Sequence, residues 1–589
     1  LYSAGVGLDY VFFDGAGGEW TLTDNISAST IDLLRGHLNT NGYTVNVSGS
    51  FRSWNNGPAE FTFGSSVINV NGYWSAYSNN LTINPGTSHI YINGTSMSNS
   101  GGGSLDFYNI TFTRTSGYVE FNYDDGNPFN NYYPDPDNDS YASSSIHKLT
   151  FNSNAVMQGV NMVDSLVFGS GKVHYFSASD TWTINDVWIG SGSCNSNNVI
   201  KTVEIGSQTT ISKSSGSVTL DYVSLQDLRV QGGATFTANN AVDMGNNTGW
   251  TINSGGSRDL YWVGGSGNWD EISHWSLSSG GAGGECVPTA NDNVYFDVNS
   301  FSSGGQSVTI NVEEAYCRDM VWTGATNNPS ITGSNRLKIY GSLTLISSMN
   351  WLFNGITFFE AMTTGHTITS AGHAFRNEVY FMGEGGEWTF MDDFSTGSYD
   401  IEFWRGTINT NDVNVSCNYF KSEVDYTRIL NLGASLVTMN ASNWEAWAVY
   451  GTNLTINPGT STIRFPSDAG IRHRYASGHS YYNVEFLDST DESNLTVEGD
   501  ASFHKVTFMG DGEIEGDNTY DSLLLATGKI YQFEDGSNHT ILQDLIANGT
   551  CNQYIIFKTE YASSHATINK STDSVVVEFA QIQDVWGAG

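Results

Sequence analysis

Three carboxylates at alternate positions, Asp135, Asp137 and Asp139, lie in the segment NYDDGNPFNNYYPDPDNDS at 122–140, and their spacing could serve a metal ion. Calcium takes about six to eight oxygen ligands, and alternate carboxylates in a turn can converge on one ion. Asp124 and Asp125 could join the same set. The segment departs from the EF-hand loop, with no glycine two residues further on and no bidentate glutamate at the twelfth position. A solvated acidic loop is the other reading of the same residues.

Cleavage of sugar chains is the catalytic reading to weigh. Hydrolysis would need two carboxylates facing each other in a groove, and β-elimination a Lys, Arg or Tyr base beside a cation. With 60 acidic residues in the chain, a carboxylate pair can be found anywhere, so pairing alone decides nothing. His147 and His504 recur at strand starts in HKLTF and HKVTF, and a lone repeated histidine reads first as a hydrogen-bonded structural residue. Neither GxSxG, HExxH nor a P-loop occurs, and the five cysteines form no CxxC pair. Cys286 and Cys317 flank a strand-rich segment and could pair in an exported protein. The expectation is no catalytic residue and no required cofactor, with structural calcium at Asp135, Asp137 and Asp139 as the open option.

The stretch YWVGGSGNWDEISHW at 261–275 gathers Trp262, Trp269, Trp275 and His274 within a few residues. Large aromatics bury area more often than they do chemistry, so it reads as a small β-hairpin whose indoles seal a junction. A platform of stacked indoles for a sugar is the alternative.

The elements that carry these residues are short. A chain of 589 residues is too long for one ordinary core, so several domains or an extended repeat are expected. Aromatics at 13%, charges at 14%, 65 glycines and only 9 prolines suit many short strands and tight turns rather than helices. The formal charge of -37 repels phosphate backbones and anionic lipid heads, which disfavours nucleic acid and membrane surfaces as partners. No apolar run is long enough to insert directly into a membrane. The chain opens on Leu1 inside a strand-like pattern and reads as an interior piece of something longer.

Alternating runs closed by Gly, Asn, Ser or Thr begin at Val11. GYTVNVSG at 42–49, GSSVINVNG at 64–72 and GTSHIYING at 86–94 place apolar pairs at Val45/Val47, Ile68/Val70 and Ile90/Ile92, and Ile110/Phe112 continue the series. Spacings of 23, 22 and 20 residues match one coil of a parallel β-helix, whose inward residues stack from rung to rung. A chain of β-sandwiches would explain the constant phase less well. Val45, Ile68, Ile90 and Ile110 should therefore form one inward column.

A coarser repeat overlies this one. VFFDGAGGEWTLTD at 11–24 matches VYFMGEGGEWTFMD at 379–392, RGHLNTN at 35–41 matches RGTINTN at 405–411, and NLTINPGTS recurs unchanged at 80–88 and 453–461. Further matches join GSGKVHYF at 169–176 to ATGKIYQF at 526–533, and GSCN at 192–195 to GTCN at 549–552, so Cys194 and Cys551 hold equivalent places. The offset runs 368, 370, 373 and then 357, so copy 1 carries a net 16 extra residues between about Ser88 and His147, around the acidic segment. The sequence thus divides into a first β-solenoid copy at 1–255, a Trp/Gly-rich junction at 256–300 and a second copy at 301–589.

YWVGGSGNWDEISHWSLSSGGAGG followed by CVPTANDNVYFDVNSF, together with LDYVSLQDLRVQGGATFTANNAVDMGNNTGW, resembles a recurrent repeat of very large extracellular proteins. Such repeats occur in surface adhesins of marine and gliding bacteria and in fibre-like proteins of their phages. The DPDND core likewise looks like the Asp-rich calcium turns of extracellular repeat proteins. The resemblance implies an all-β chain of tandem parallel β-helix segments, acting as a structural or adhesive part of a cell-surface or filament protein. Its partners would be surface glycans or neighbouring copies of itself. A phage tail or head fibre, located on the virion, is the alternative, and a polysaccharide-active β-helix enzyme the third reading.

Overall fold

The computed structural model describes all residues except 55–56, 78, 101–102, 123–142, 476–477, 562–563, 571–573 and 589. It divides into two compact units, Leu1–Gly256 and Ser257–Gly589. Each is a parallel β-solenoid. Among the described residues the only helical element is a single 3-10 turn, Ile272–His274, and no helix is long and apolar enough to cross a membrane.

One coil of the first unit runs through strands Val45–Val47, Phe51–Ser53 and Ala59–Thr62, and the next through Val67–Val70, Trp74–Tyr77 and Leu81–Asn84. Each strand pairs in parallel with its counterpart one coil later, so the coil has three faces. Apolar residues alternate with polar ones along each strand, and the alternation sends the apolar set inward. Corners fall on residues that tolerate tight turns. Asn41 and its repeat partner Asn411 both hold a left-handed backbone, at φ 52° and 53°.

The expected column forms. Val45 faces Ile68, Ile68 faces Ile90 and Ile90 faces Ile110, all at most 1% exposed. It extends to Ile26 on one side and to Leu149, Leu166 and Trp188 on the other. A second face stacks Ile31, Phe51, Trp74, Met97, Phe121 and Met157 in register. Burying each such side chain stabilises its rung by about 1.5 to 3 kcal/mol, and the gain depends on the neighbouring rungs being in place.

The surplus of copy 1 leaves the stacking intact. Phe112 pairs directly with Phe151 across 39 residues of chain, whereas the equivalent step in copy 2, Phe486 to Phe508, takes 22. The rungs on either side of the acidic segment therefore pack as ordinary neighbours.

The second unit repeats the three-faced plan. One face is a thirteen-stranded sheet, one a ten-stranded sheet, and the third is shared by a four-stranded and a ten-stranded sheet. Its first rung is the tryptophan stretch. Asp259–Trp262 pairs in parallel with Asn293–Tyr295 and antiparallel with Trp275–Ser276, so a reversed strand covers the outer edge. Trp262, Trp269 and Trp275 are buried and pack edge to face at 5.0 and 4.9 Å, and His274 stacks on Trp262. The hairpin is present, and buried indoles offer no sugar platform.

Cys317 ends the strand Glu314–Cys317 pointing into the core. It is a free thiol, pushed well above its ordinary range by burial, so the Cys286–Cys317 bridge that the sequence left open is not formed. A strand position fixed by inward packing leaves the sulfur nothing to meet but its own column, where Cys317 pairs with Ile339.

Candidate functional site

Asp135, Asp137 and Asp139, with Asp124 and Asp125, lie outside the described residues. Among the described residues no group of three His, Cys, Asp or Glu side chains is placed to hold a metal ion. The outer surfaces of the coils nevertheless bring together three polar arrangements.

The first lies on the outer side of the Ile31–Phe51–Trp74 face of the first unit. Pairing puts Asp32 beside Arg52 on adjacent rungs, both pointing away from the core. Arg52 Nε donates to Asp32 Oδ1 at 2.7 Å and Nη2 donates to Oδ2 at 2.9 Å, a two-pronged ion pair. Asp32 is fully buried although it faces outward, because Arg52 and a ring of aromatics cover it. Tyr10 Oη donates to Asp32, Trp54 Nε1 donates to Asp32 Oδ2 at 3.4 Å, and Arg52 Nη1 donates to Tyr73 Oη at 3.1 Å. The guanidinium lies 5.8 Å from the Tyr10 ring centre and 5.9 Å from that of Trp54, within cation–π reach of both. The hydrogen bond to Asp32 holds the Tyr10 phenol above its ordinary range and raises the Arg52 guanidinium further still.

The polar tips of three aromatic side chains are thus anchored to one ion pair, buried at Asp32 and part-buried at Arg52, while the rings stay in solvent. Tyr10 is 50% exposed, Trp54 52% and Tyr73 41%. Aromatic side chains held this way contact a ligand with little further loss of rotamer freedom. The sequence repeat shows what is private to copy 1. At the equivalent positions the second unit carries Glu378 for Tyr10, Glu402 for Asp32, Lys421 for Arg52, Glu423 for Trp54 and Ala446 for Tyr73. The acid–base pair persists there, with Lys421 Nζ 3.7 Å from Glu402, and the three aromatics do not.

The second arrangement is duplicated. At one corner of the coil Tyr108 stacks on His147 at 4.4 Å, and His147 Nδ1 meets Asp164 at 2.9 Å. In the second unit Tyr482 stacks on His504 at 4.2 Å, and His504 Nδ1 meets Asp521 at 2.7 Å. Hydrogen bonds from Asn185 and then His147 hold the Asp164 carboxyl below its ordinary range. The repeated histidines are therefore members of a hydrogen-bonded corner stack, the structural role expected of them.

The third is a surface cavity of about 330 Å³ in the second unit, where the Arg405 guanidinium lies 3.5 Å from the Tyr426 ring centre and 3.4 Å from Glu384. A glycine cradle shapes it. A Cβ on Gly406 would fall 2.6 Å from Gly386 O and 2.8 Å from Gly383 O, and a Cβ on Gly36 would meet Gly18 O and Gly15 O at 2.7 and 2.6 Å. With φ at 86° and 98°, both positions require glycine, which accounts for the shared GxGGEW and RGxxNTN motifs.

Sequence reasoning missed the first arrangement because its members are spread over Tyr10 to Tyr73 and belong to no motif. The one available signal was the rung spacing, which places Asp32 and Arg52, 20 residues apart, on neighbouring coils. No protein-family model, curated protein or solved structure matches this chain.

Proposed function

We propose that this chain is a structural and adhesive segment of a giant extracellular surface or filament protein. Stacked coils supply length and rigidity, and exposed patches attach to glycans or to neighbouring copies. The observation that carries this reading is that each rung is closed by one polypeptide. Val45, Ile68, Ile90 and Ile110 follow one another in the same chain and in one column. A solenoid built this way lengthens by adding rungs and needs no partner chain to complete its core. The charge of -37 supports it by keeping such surfaces from clumping. Sedimentation equilibrium should return the mass of a single chain; a mass of three chains would replace this reading with the phage-fibre alternative.

In this reading the chain has no catalytic centre. Polysaccharide turnover that vanished on replacing one carboxylate would overturn that and favour the third, enzymatic reading.

Calcium at Asp135, Asp137 and Asp139 belongs to the same proposal and rests on the sequence alone. Neutralising three neighbouring carboxylates would offset the cost of ordering the segment, about 1 to 2 kcal/mol per residue. Proteolysis near Pro134 to Ser140 should slow in calcium and speed up in chelator. Equal cleavage rates in both would leave only a solvated acidic loop.

A further inference from the structure

We infer that Tyr10, Trp54 and Tyr73, held around the Asp32–Arg52 ion pair, form a binding platform for an uncharged sugar chain; this rests on the adhesive reading above and gives it a ligand class. A pyranose has one face of C–H bonds and a rim of hydroxyls. An exposed aromatic ring matches the face; the Tyr10 O–H and Trp54 N–H are already given to Asp32, so contact with the ring faces carries the recognition. All three rings are about half exposed, yet Tyr10 and Trp54 are fixed by their polar ends to the buried Asp32 and Tyr73 to the part-buried Arg52, so the platform is organised before any ligand arrives.

Charge selects the class. Asp32 neutralises Arg52 through two hydrogen bonds, so the platform offers no uncompensated cation to a sulfated or uronic chain. The surrounding chain, at -37, repels such anions. A neutral polysaccharide is the ligand this combination accepts. The equivalent surface of the second unit, with Glu378, Glu423 and Ala446 in place of the rings, should not bind it.

Affinity electrophoresis of the whole chain through gels containing neutral glucans, mannans and galactans, and separately alginate or a sulfated galactan, tests this. At least one neutral polymer should retard the wild type, and the acidic ones should not. Trp54→Ala and Tyr73→Ala should each weaken retardation at least tenfold with unchanged circular dichroism. Replacing the equivalent second-unit residue, Glu423→Ala, should leave it unchanged. Retardation by acidic polymers alone, retardation equal in wild type and Trp54→Ala, or no retardation by any neutral polymer would overturn the platform. So would a Trp54→Ala effect confined to self-association in sedimentation, which would assign the patch to a second copy. The electrophoretic outcomes leave the single-chain solenoid core untouched, and a dimer formed through this patch is told from a three-chain fibre by its sedimentation mass.

Discussion

Replacing Gly94 by alanine should destabilise the first unit by about 3 kcal/mol or more, the largest effect expected of a single methyl group at any described glycine. Gly49, Gly72 and Gly94 stack at one corner of three successive coils. A Cβ on Gly72 would lie 2.3 Å from Gly49 O, and a Cβ on Gly94 only 1.3 Å from Gly72 O. No rotamer relieves that contact, because the obstructing atom is backbone of a residue whose amide is tied to the coil before it. Asn71 N donates to Val47 O, Gly72 N donates to Gly49 O and Asn93 N donates to Val70 O, at 2.9, 2.9 and 2.8 Å. The coil must open at that corner and unstack Ile92 from Val70. Gly169→Ala is the control, since its nearest neighbours lie at an ordinary 3.4 Å, and its effect should stay within about 0.5 kcal/mol. Chemical denaturation read by hydrogen exchange in strands Val67–Val70 and His89–Ile92 checks both. A Gly94→Ala protein as stable as wild type would show that the corners do not approach as described.

At pH 5 the rungs around His174 should exchange their amide hydrogens faster than at pH 7.5, relative to a His174→Phe variant measured under the same conditions. His174 is fully buried and stacks on Phe168 at 3.7 Å, and burial pulls its pKa down to about 3. The folded unit therefore keeps the ring neutral while the unfolded chain protonates it below about 6.5. Between those values the unfolded state binds more protons, so stability falls as pH falls, by about 2 kcal/mol at pH 5 from this residue. Asp180 acts in the opposite sense: burial raises it to about 6, so its contribution is present at low pH and lost as pH rises through that value. Comparing variant with wild type cancels Asp180 and isolates the histidine. The repeat suggests a second replacement, His174→Tyr, because copy 2 carries Tyr531 at that place. His473 and His539 in the second unit, lowered by burial to about 3 and about 4, should keep that unit acid-sensitive in both variants. A wild type and a His174→Phe protein with parallel pH profiles in Val173–Phe176 would refute the assignment.

The solenoid itself was legible because its signal is local and repeated. Val45, Ile68, Ile90 and Ile110 show the coil length in their spacing, and alternation about each shows which side faces in. The paired motifs announced the duplication, and the shift in offset located the surplus, because gaining or losing residues at a corner leaves the stacked strands unchanged.

Outward-facing and buried polar residues followed no such rule. Arg428 has the composition of a surface residue, yet it is fully buried, its guanidinium donating to Ser422, Tyr426, Tyr450 and Thr452 oxygens. Lys213 is 4% exposed, with its ammonium capping Asn185 O and Asp186 O. Asp32 is buried on the outside of the coil by side chains 20 or more residues away in both directions. The inward pattern is written in the order of residues because hydrophobic burial is non-directional and needs only the right side of a strand. A polar cluster needs particular donors and acceptors within about 3 Å, and partners a full coil apart meet only once corner lengths and rung register have been set. Those lengths are decided by the packed solenoid, so the ion pair and its three aromatics became visible only in the tertiary structure.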